Sequence, residues 1–320
     1  MKWLWLMLVA CGSDPHGSST DAPAAIADSP AALDACPTTG SGALTPSDAT
    51  CLVFTPADAG ADPAGENATV NNYALAPTGT SNGKLVLYLN PSLGTPAFSI
   101  ATPTDNIYTA ATANGDHVLA LAYASKQVIG VVCGTDNACY LDTRMTIVTG
   151  IVQPHADASV AGVTESVGIY ARALAGLNYL VAHDPSGHWD QFLAGGDIDW
   201  TKVIVMGHSQ GGGHAALLAK LQPVARLVAL SSPCDRGAGS TAAAWQTHDS
   251  TWASDPAQIG FGYDADGDTT CDVHIAVWDA LGLDPNRRFN DVATCAAASL
   301  HTATTQCTAN IPRVQAMLAN

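Results

Sequence analysis

Residues 201–220, "TKVIVMGHSQGGGHAALLAK", pass from a β-branched apolar run through a glycine-flanked serine into an alanine- and leucine-rich run. The periodicity predicts a strand over Lys202–Met206 and a helix after Ser209. In Gly207-His208-Ser209-Gln210-Gly211 the serine then sits on a sharp strand-to-helix turn, where only small neighbours fit. Such a turn lifts the hydroxyl above the carboxyl edge of a sheet and aims the first N–H groups of the helix at it. The Gln210 N–H thereby becomes a candidate donor to an oxyanion. A bare G-x-S-x-G match is a weak signal, and the strand and helix on either side give this one its weight.

Working outward, "NNYALAP" (71–77), "KLVLYLN" (84–90), "HVLALAY" (117–123), "RLVALSS" (226–232) and "QIGFGY" (258–263) read as strands. Residues 103–114, closed by Gly115, and "VTESVGIYARALAGLNYLVAHD" (163–184) read as helices. The stretch carrying Cys133 and Cys139 reads as a long loop. Strands that are apolar nearly throughout are covered on both faces. Their alternation with helices predicts an α/β fold: a mostly parallel central sheet with helices on both faces.

The 320 residues are 47% hydrophobic, enough for one large core. Only 12 Lys+Arg face 28 Asp+Glu, for a net charge of −16, which argues against a nucleic-acid partner and against attraction to anionic lipid headgroups. The opening "MKWLWLMLVAC" has an apolar run too short to span a bilayer and resembles a bacterial lipoprotein signal. The resemblance implies cleavage before Cys11, lipidation of that cysteine and an exported envelope protein that meets the membrane only through its anchor. Residues 12–47, rich in Ser, Pro, Ala and Asp, read as a disordered tether, and 48–320 as the folded domain, expected to be a monomer.

Removing Cys11 from nine cysteines leaves eight, an even number suited to an oxidising compartment. Spacing suggests Cys36 with Cys51, Cys133 with Cys139 and Cys295 with Cys307, which leaves Cys234 for Cys271. Neither these cysteines nor the scattered histidines have zinc-ligand spacing.

The extended motif "GHSQGGGHAA", the preceding "DWTKVIVM", the arginine-bearing segment after Cys139, and "GFGYDADGD" followed by "VWDALGL" resemble the α/β-hydrolase superfamily. The similarity is to a group of exported bacterial serine hydrolases and covers roughly residues 70–310. It implies a Ser-His-Asp triad with Ser209 as nucleophile. The second oxyanion donor would come from the loop after the third strand, here Asn90-Pro91-Ser92-Leu93-Gly94. Proline lacks an N–H, so Ser92 or Leu93 is the candidate. The resemblance places the acid at Asp266, with Asp264, Asp268 and Asp235 as alternatives, and a base after the last strand at His301, with His274 as competitor. His208 and His214 are read as shaping the turn or lining a pocket.

"DADGD" (264–268) also looks like the start of a calcium loop, but Thr269 and Ile275 stand where an EF-hand needs Gly and Glu. No metal and no organic cofactor is expected, since no dinucleotide fingerprint is present. The implied activity is hydrolysis of a carboxylic ester, small or polymeric, through an acyl-enzyme. The alternative is an envelope-tethered binding lipoprotein that keeps the fold without turnover.

Overall fold

Every side chain from Leu85 to Leu89 is buried, and alternate residues enter two different cores. Leu85, Leu87 and Leu89 join one cluster with Leu119, Val205 and Trp278, while Val86 and Tyr88 join a second with Val118, Met206 and Val228. This is the period-two alternation of a strand sandwiched between two helical layers. The computed structural model describes residues 33–250, 252, 257–262, 271, 273–296 and 298–319. The expected leader with Cys11 and the whole "DADGD" loop, including Asp264, Asp266 and Asp268, lie outside the described residues.

The strands are β1 (Asp34–Ala35), β2 (Ala49–Phe54), β3 (Asn72–Pro77), β4 (Leu85–Leu89), β5 (His117–Leu121), β6 (Leu193–Ala194), β7 (Asp197–Ile198), β8 (Val203–His208), β9 (Arg226–Leu230), β10 (Ala257–Phe261) and β11 (Arg288–Phe289). Nine of them form one sheet in the order β1-β2-β3-β5-β4-β8-β9-β10-β11, and β6 and β7 form a separate hairpin. The first three strands pair antiparallel, as does β3 with β5; from β5 through β11 all pairs are parallel. The expected mostly parallel sheet is present. In register, Leu89 of β4 stands opposite Gly207 of β8, and His208 opposite Leu230 of β9, so the carboxyl ends of three strands meet beside Ser209.

The helices are α1 (Ile107–Ala113), α2 (Ile129–Cys133), α3 (Asn137–Thr149), α4 (Ile169–His183), α5 (Gln210–Leu221), α6 (His274–Ala280), α7 (Ala303–Gln306) and α8 (Ile311–Ala319). Asn106 starts α1 with a reciprocal capping box, its side chain accepting from the N–H groups of Tyr108 and Thr109. Helix α8 ends on Arg226, whose Nη1 donates to the carbonyls of Met317 and Leu318 at 2.8 Å.

Two segments differ from expectation. The long loop around Cys133 and Cys139 is mostly helical, forming α2 and α3, with Asp136 capping the second. The tether expected to run to residue 47 joins the folded unit well before that point. Its strand β1 pairs with β2, Leu44 is only 1% exposed, and the Tyr73 hydroxyl donates to the Gly42 carbonyl at 2.9 Å. The Cys36–Cys51 disulfide closes this segment onto β2. The other bridges are Cys133–Cys139, Cys234–Cys271 and Cys295–Cys307, the pairing that the spacing suggested.

Candidate active site

Ser209 stands between β8 and α5 with φ 54° and ψ −123°, a left-handed conformation that a non-glycine residue keeps only when its surroundings enforce it. The enforcement is close packing of backbone on backbone. A Cβ at Gly207 would lie 2.3 Å from the carbonyl carbon of Gly211, and one at Gly211 would lie 2.1 Å from the Leu89 carbonyl oxygen. Both positions therefore require glycine, because the neighbouring atoms are backbone and cannot give way. The Ser209 N–H donates to Leu230 O at 2.9 Å, and the Ser232 hydroxyl donates to Ser209 O at 2.7 Å, fixing the turn from the β9 side.

The loop after β11 brings His301 to this turn, with its Nε2 2.7 Å from Ser209 Oγ. Both residues are partly open to solvent. The neighbouring His208 is fully buried, and its Nε2–H donates to the His301 carbonyl at 2.8 Å. That bond fixes the neutral tautomer, and burial, reinforced by the nearby His301, pushes the His208 pKa down to about 3. His208 thus holds the histidine loop and does not compete as a base. His214, on the far side of the turn, is packed edge-on against Tyr123 and held well below its usual pKa by burial and then by Arg144. His274 begins α6, buried and stacked on Trp278.

This strand order, with a strained serine on the turn after β8, decides the architecture. The chain has the α/β-hydrolase fold.

The oxyanion side separates the two expected donors. The Leu93 N–H already donates to the Ser125 carbonyl at 2.7 Å, so Leu93 is not available for that role. Ser92 lines a small recess together with Ser209 and Gln210. Gln210 is the first residue of α5, a position whose backbone N–H has no partner inside the helix. The loop of residues 90–94 is braced by Asn90, whose Nδ2 donates to the carbonyls of Pro91 and Gly94, and by the Tyr123 hydroxyl, which donates to Asn90 O at 2.6 Å.

Asp235 follows β9, but its carboxylate is committed elsewhere. Arg144 of α3 donates to it from Nε and Nη2 at 2.5 Å each, and Trp245 Nε1 donates at 2.9 Å. The remaining arm of Arg144, Nη1, donates to the Gln210 carbonyl at 2.9 Å. A Cβ at Gly213 would strike this guanidinium at 2.3 Å, which explains the third glycine of "QGGG". The pair is a buried brace beneath the first turn of α5. The segment bearing Arg144 carries part of the resemblance but no role in the sequence, and the Gln210 side chain, which accepts from the Ile129 N–H at 3.0 Å, has none there either.

Cys234, Cys271 and His274 bring potential metal donors together, but the two sulfurs are bonded to each other and offer no thiolate.

No family model matches the chain, and no curated protein matches it. Among solved structures, carboxyl esterase 2 from the mycorrhizal fungus Tuber melanosporum is 12% identical, with 85% of each chain covered and a TM-score of 0.46. An esterase from the bacterial hormone-sensitive lipase family is 16% identical over 86% of this chain and 85% of that one, with a TM-score of 0.42. An α/β serine hydrolase homologue from Coxiella burnetii is 13% identical over 86% and 97%, with a TM-score of 0.42. At such identities the activity rests on the site itself.

Proposed function

We propose that the protein is a serine hydrolase that cleaves carboxylic esters. The observation that carries this reading is the 2.7 Å approach of His301 Nε2 to Ser209 Oγ on a strained, partly exposed turn. His301 takes the hydroxyl proton as Ser209 Oγ bonds to the ester carbonyl carbon. The developing oxyanion faces the backbone N–H groups of Gln210 and Ser92. The bond from carbon to the alcohol oxygen then breaks, and His301 hands its proton to that oxygen. Water, deprotonated by the same imidazole, releases the acid and restores the serine. Asp266 is proposed as the carboxylate that orients His301. A binding protein without turnover has no need of a strained hydroxyl within reach of an imidazole and open to solvent.

A fluorophosphonate probe should label the wild-type protein at Ser209 and leave Ser209→Ala unlabelled. Equal labelling of both would defeat the assignment.

A further inference from the structure

The two ends of the Ser209–Gln210 peptide do different work. Its N–H, on Gln210, is one of the two donors proposed for the oxyanion. Its carbonyl, on Ser209, accepts from the N–H groups of Gly212 at 3.0 Å and Gly213 at 3.3 Å, as the residue preceding a helix ordinarily does. It accepts in addition from the Ser232 hydroxyl at 2.7 Å, the shortest of the three bonds and the one made by a side chain. Ser232 is fully buried just beyond the end of β9. Its backbone is held in place: Trp278 Nε1 donates to the Ser232 carbonyl at 2.8 Å, and the N–H of Ser231 before it donates to Phe261 O at 2.7 Å.

The shape of the turn has other fastenings. The Ser209 N–H is tied to Leu230 O, and Gly207 and Gly211 meet backbone that admits no larger residue. Gly212, the middle glycine of "QGGG", shows what the Ser232 hydroxyl requires. A Cβ there would strike Ser232 Oγ and lie 2.5 Å from Ser232 Cβ, as well as 2.9 Å from the Gly207 carbonyl oxygen. Glycine inside a helix is destabilising relative to alanine, and here it admits a polar side chain to a carbonyl that the helix already satisfies. A bond that the carbonyl does not need still acts on the far end of the same amide. Drawing electron density toward the Ser209 oxygen leaves the Gln210 nitrogen poorer in electrons and its N–H a stronger donor, as in any chain of hydrogen bonds at low local dielectric.

Resting on the serine-hydrolase reading, we infer that Ser232 is a positioning residue for the reaction: it polarises the Ser209–Gln210 amide and so strengthens the Gln210 donor to the oxyanion. Its effect grows as charge develops. The ester carbonyl of the bound substrate is a neutral acceptor and the tetrahedral oxyanion a charged one, so a better donor lowers the barrier more than it tightens binding. One oxyanion donor is worth about 10²–10³ in kcat. Chaining strengthens a hydrogen bond by about 10–30%. Together these give Ser232 a contribution of about 2- to 8-fold.

The test uses the full chain and two aryl esters that differ in one atom, an ester and the thionoester with C=S in place of C=O. Sulfur accepts hydrogen bonds weakly, so thionoester turnover draws less on the Gln210 donor. Ser232→Ala leaves Ser209 O its partners in the helix, so the fold should hold. Its kcat for the ester should fall by about 2- to 8-fold at constant KM, the mark of an interaction made only in the transition state. Its kcat for the thionoester should fall less. Ser232→Cys, whose S–H donates weakly, should lie between the alanine variant and wild type, and it carries the same comparison where the alanine variant does not fold. Equal losses for ester and thionoester would make Ser232 a strut that only places Ser209, and an undiminished ester kcat in Ser232→Ala would leave it no part. Either result overturns the inference while fluorophosphonate labelling of Ser209 stands. Absence of that labelling in the wild type removes the serine-hydrolase reading, and the inference with it.

Discussion

Asp235→Asn would leave the Arg144 guanidinium buried beside a neutral amide that cannot balance its charge. Breaking one side of such a pair costs about 3–5 kcal/mol, because the remaining ion has lost its water and gained no partner. In a chain of this size that corresponds to a fall in Tm of roughly 10 °C. Asp266→Asn is expected to behave in the opposite way. Its proposed work is to keep His301 in the tautomer that offers Ser209 a lone pair, so turnover of an aryl acetate should fall by about 10⁴ with Tm unchanged. Melting curves and turnover measured on the two variants separate the roles. A collapse of activity at constant Tm in Asp235→Asn, with a near-normal Asp266→Asn, would move the acid to Asp235.

The elements around Ser209 are fastened by side chains that take no part in the bond changes. His208 ties the end of β8 to the histidine loop, and Gln210 ties the start of α5 to α2, which the Cys133–Cys139 bridge closes onto α3. His208→Phe keeps the ring but deletes the donor to His301 O. The loop then loses its anchor, and a displacement on the order of 1 Å at the base lowers kcat by about 10²-fold with little change in KM. His208→Gln, which can still donate, should recover part of that loss; equal kcat in all three proteins would show that the bond does not position the base. The strand and helix of the elbow were legible because they carry strong, opposite periodicities on either side of a glycine-flanked serine. Helix α3 was not, since Thr143, Thr146, Ile147, Val148 and Thr149 lower its helix propensity and no clear apolar stripe runs along it. The Arg144 brace was hidden with it. Leu93 could not be told from Ser92 because the competition for its N–H comes from Ser125, 32 residues away in the chain.

Across the whole molecule, disulfide spacing was legible because three of the four bridges close short loops, separated by 6, 12 and 15 residues. The packing of residues 37–47 was not, because they have the composition of a tether and are held by long-range contacts: the Cys36–Cys51 bridge, the buried Ala43 and Leu44, and the hydrogen bond from Tyr73 to the Gly42 carbonyl. The same molecule-wide burial sets how stability responds to pH. His208 is pushed down to about 3, His214 is held well below its usual value and His117 is lowered, with burial the leading cause in each. In the unfolded chain these imidazoles titrate near 6.5. Below that pH the unfolded state binds protons that the folded state refuses, so folding stability is complete above about pH 6.5 and declines on acidification toward pH 3. Each such group contributes a slope of about 1.4 kcal/mol per pH unit within its window. Buried Asp116 has its pKa raised by desolvation and acts with the opposite sign, but only near the carboxylate range. Denaturant unfolding with the disulfides intact should therefore give the same stability at pH 7 and 8 and a steep loss between pH 6 and 4. His208→Gln should make that loss shallower by about one group's slope. Stability unchanged from pH 7 to pH 4 would mean that these histidines accept protons in the folded protein, and that His208 does not hold the His301 loop as a buried neutral donor.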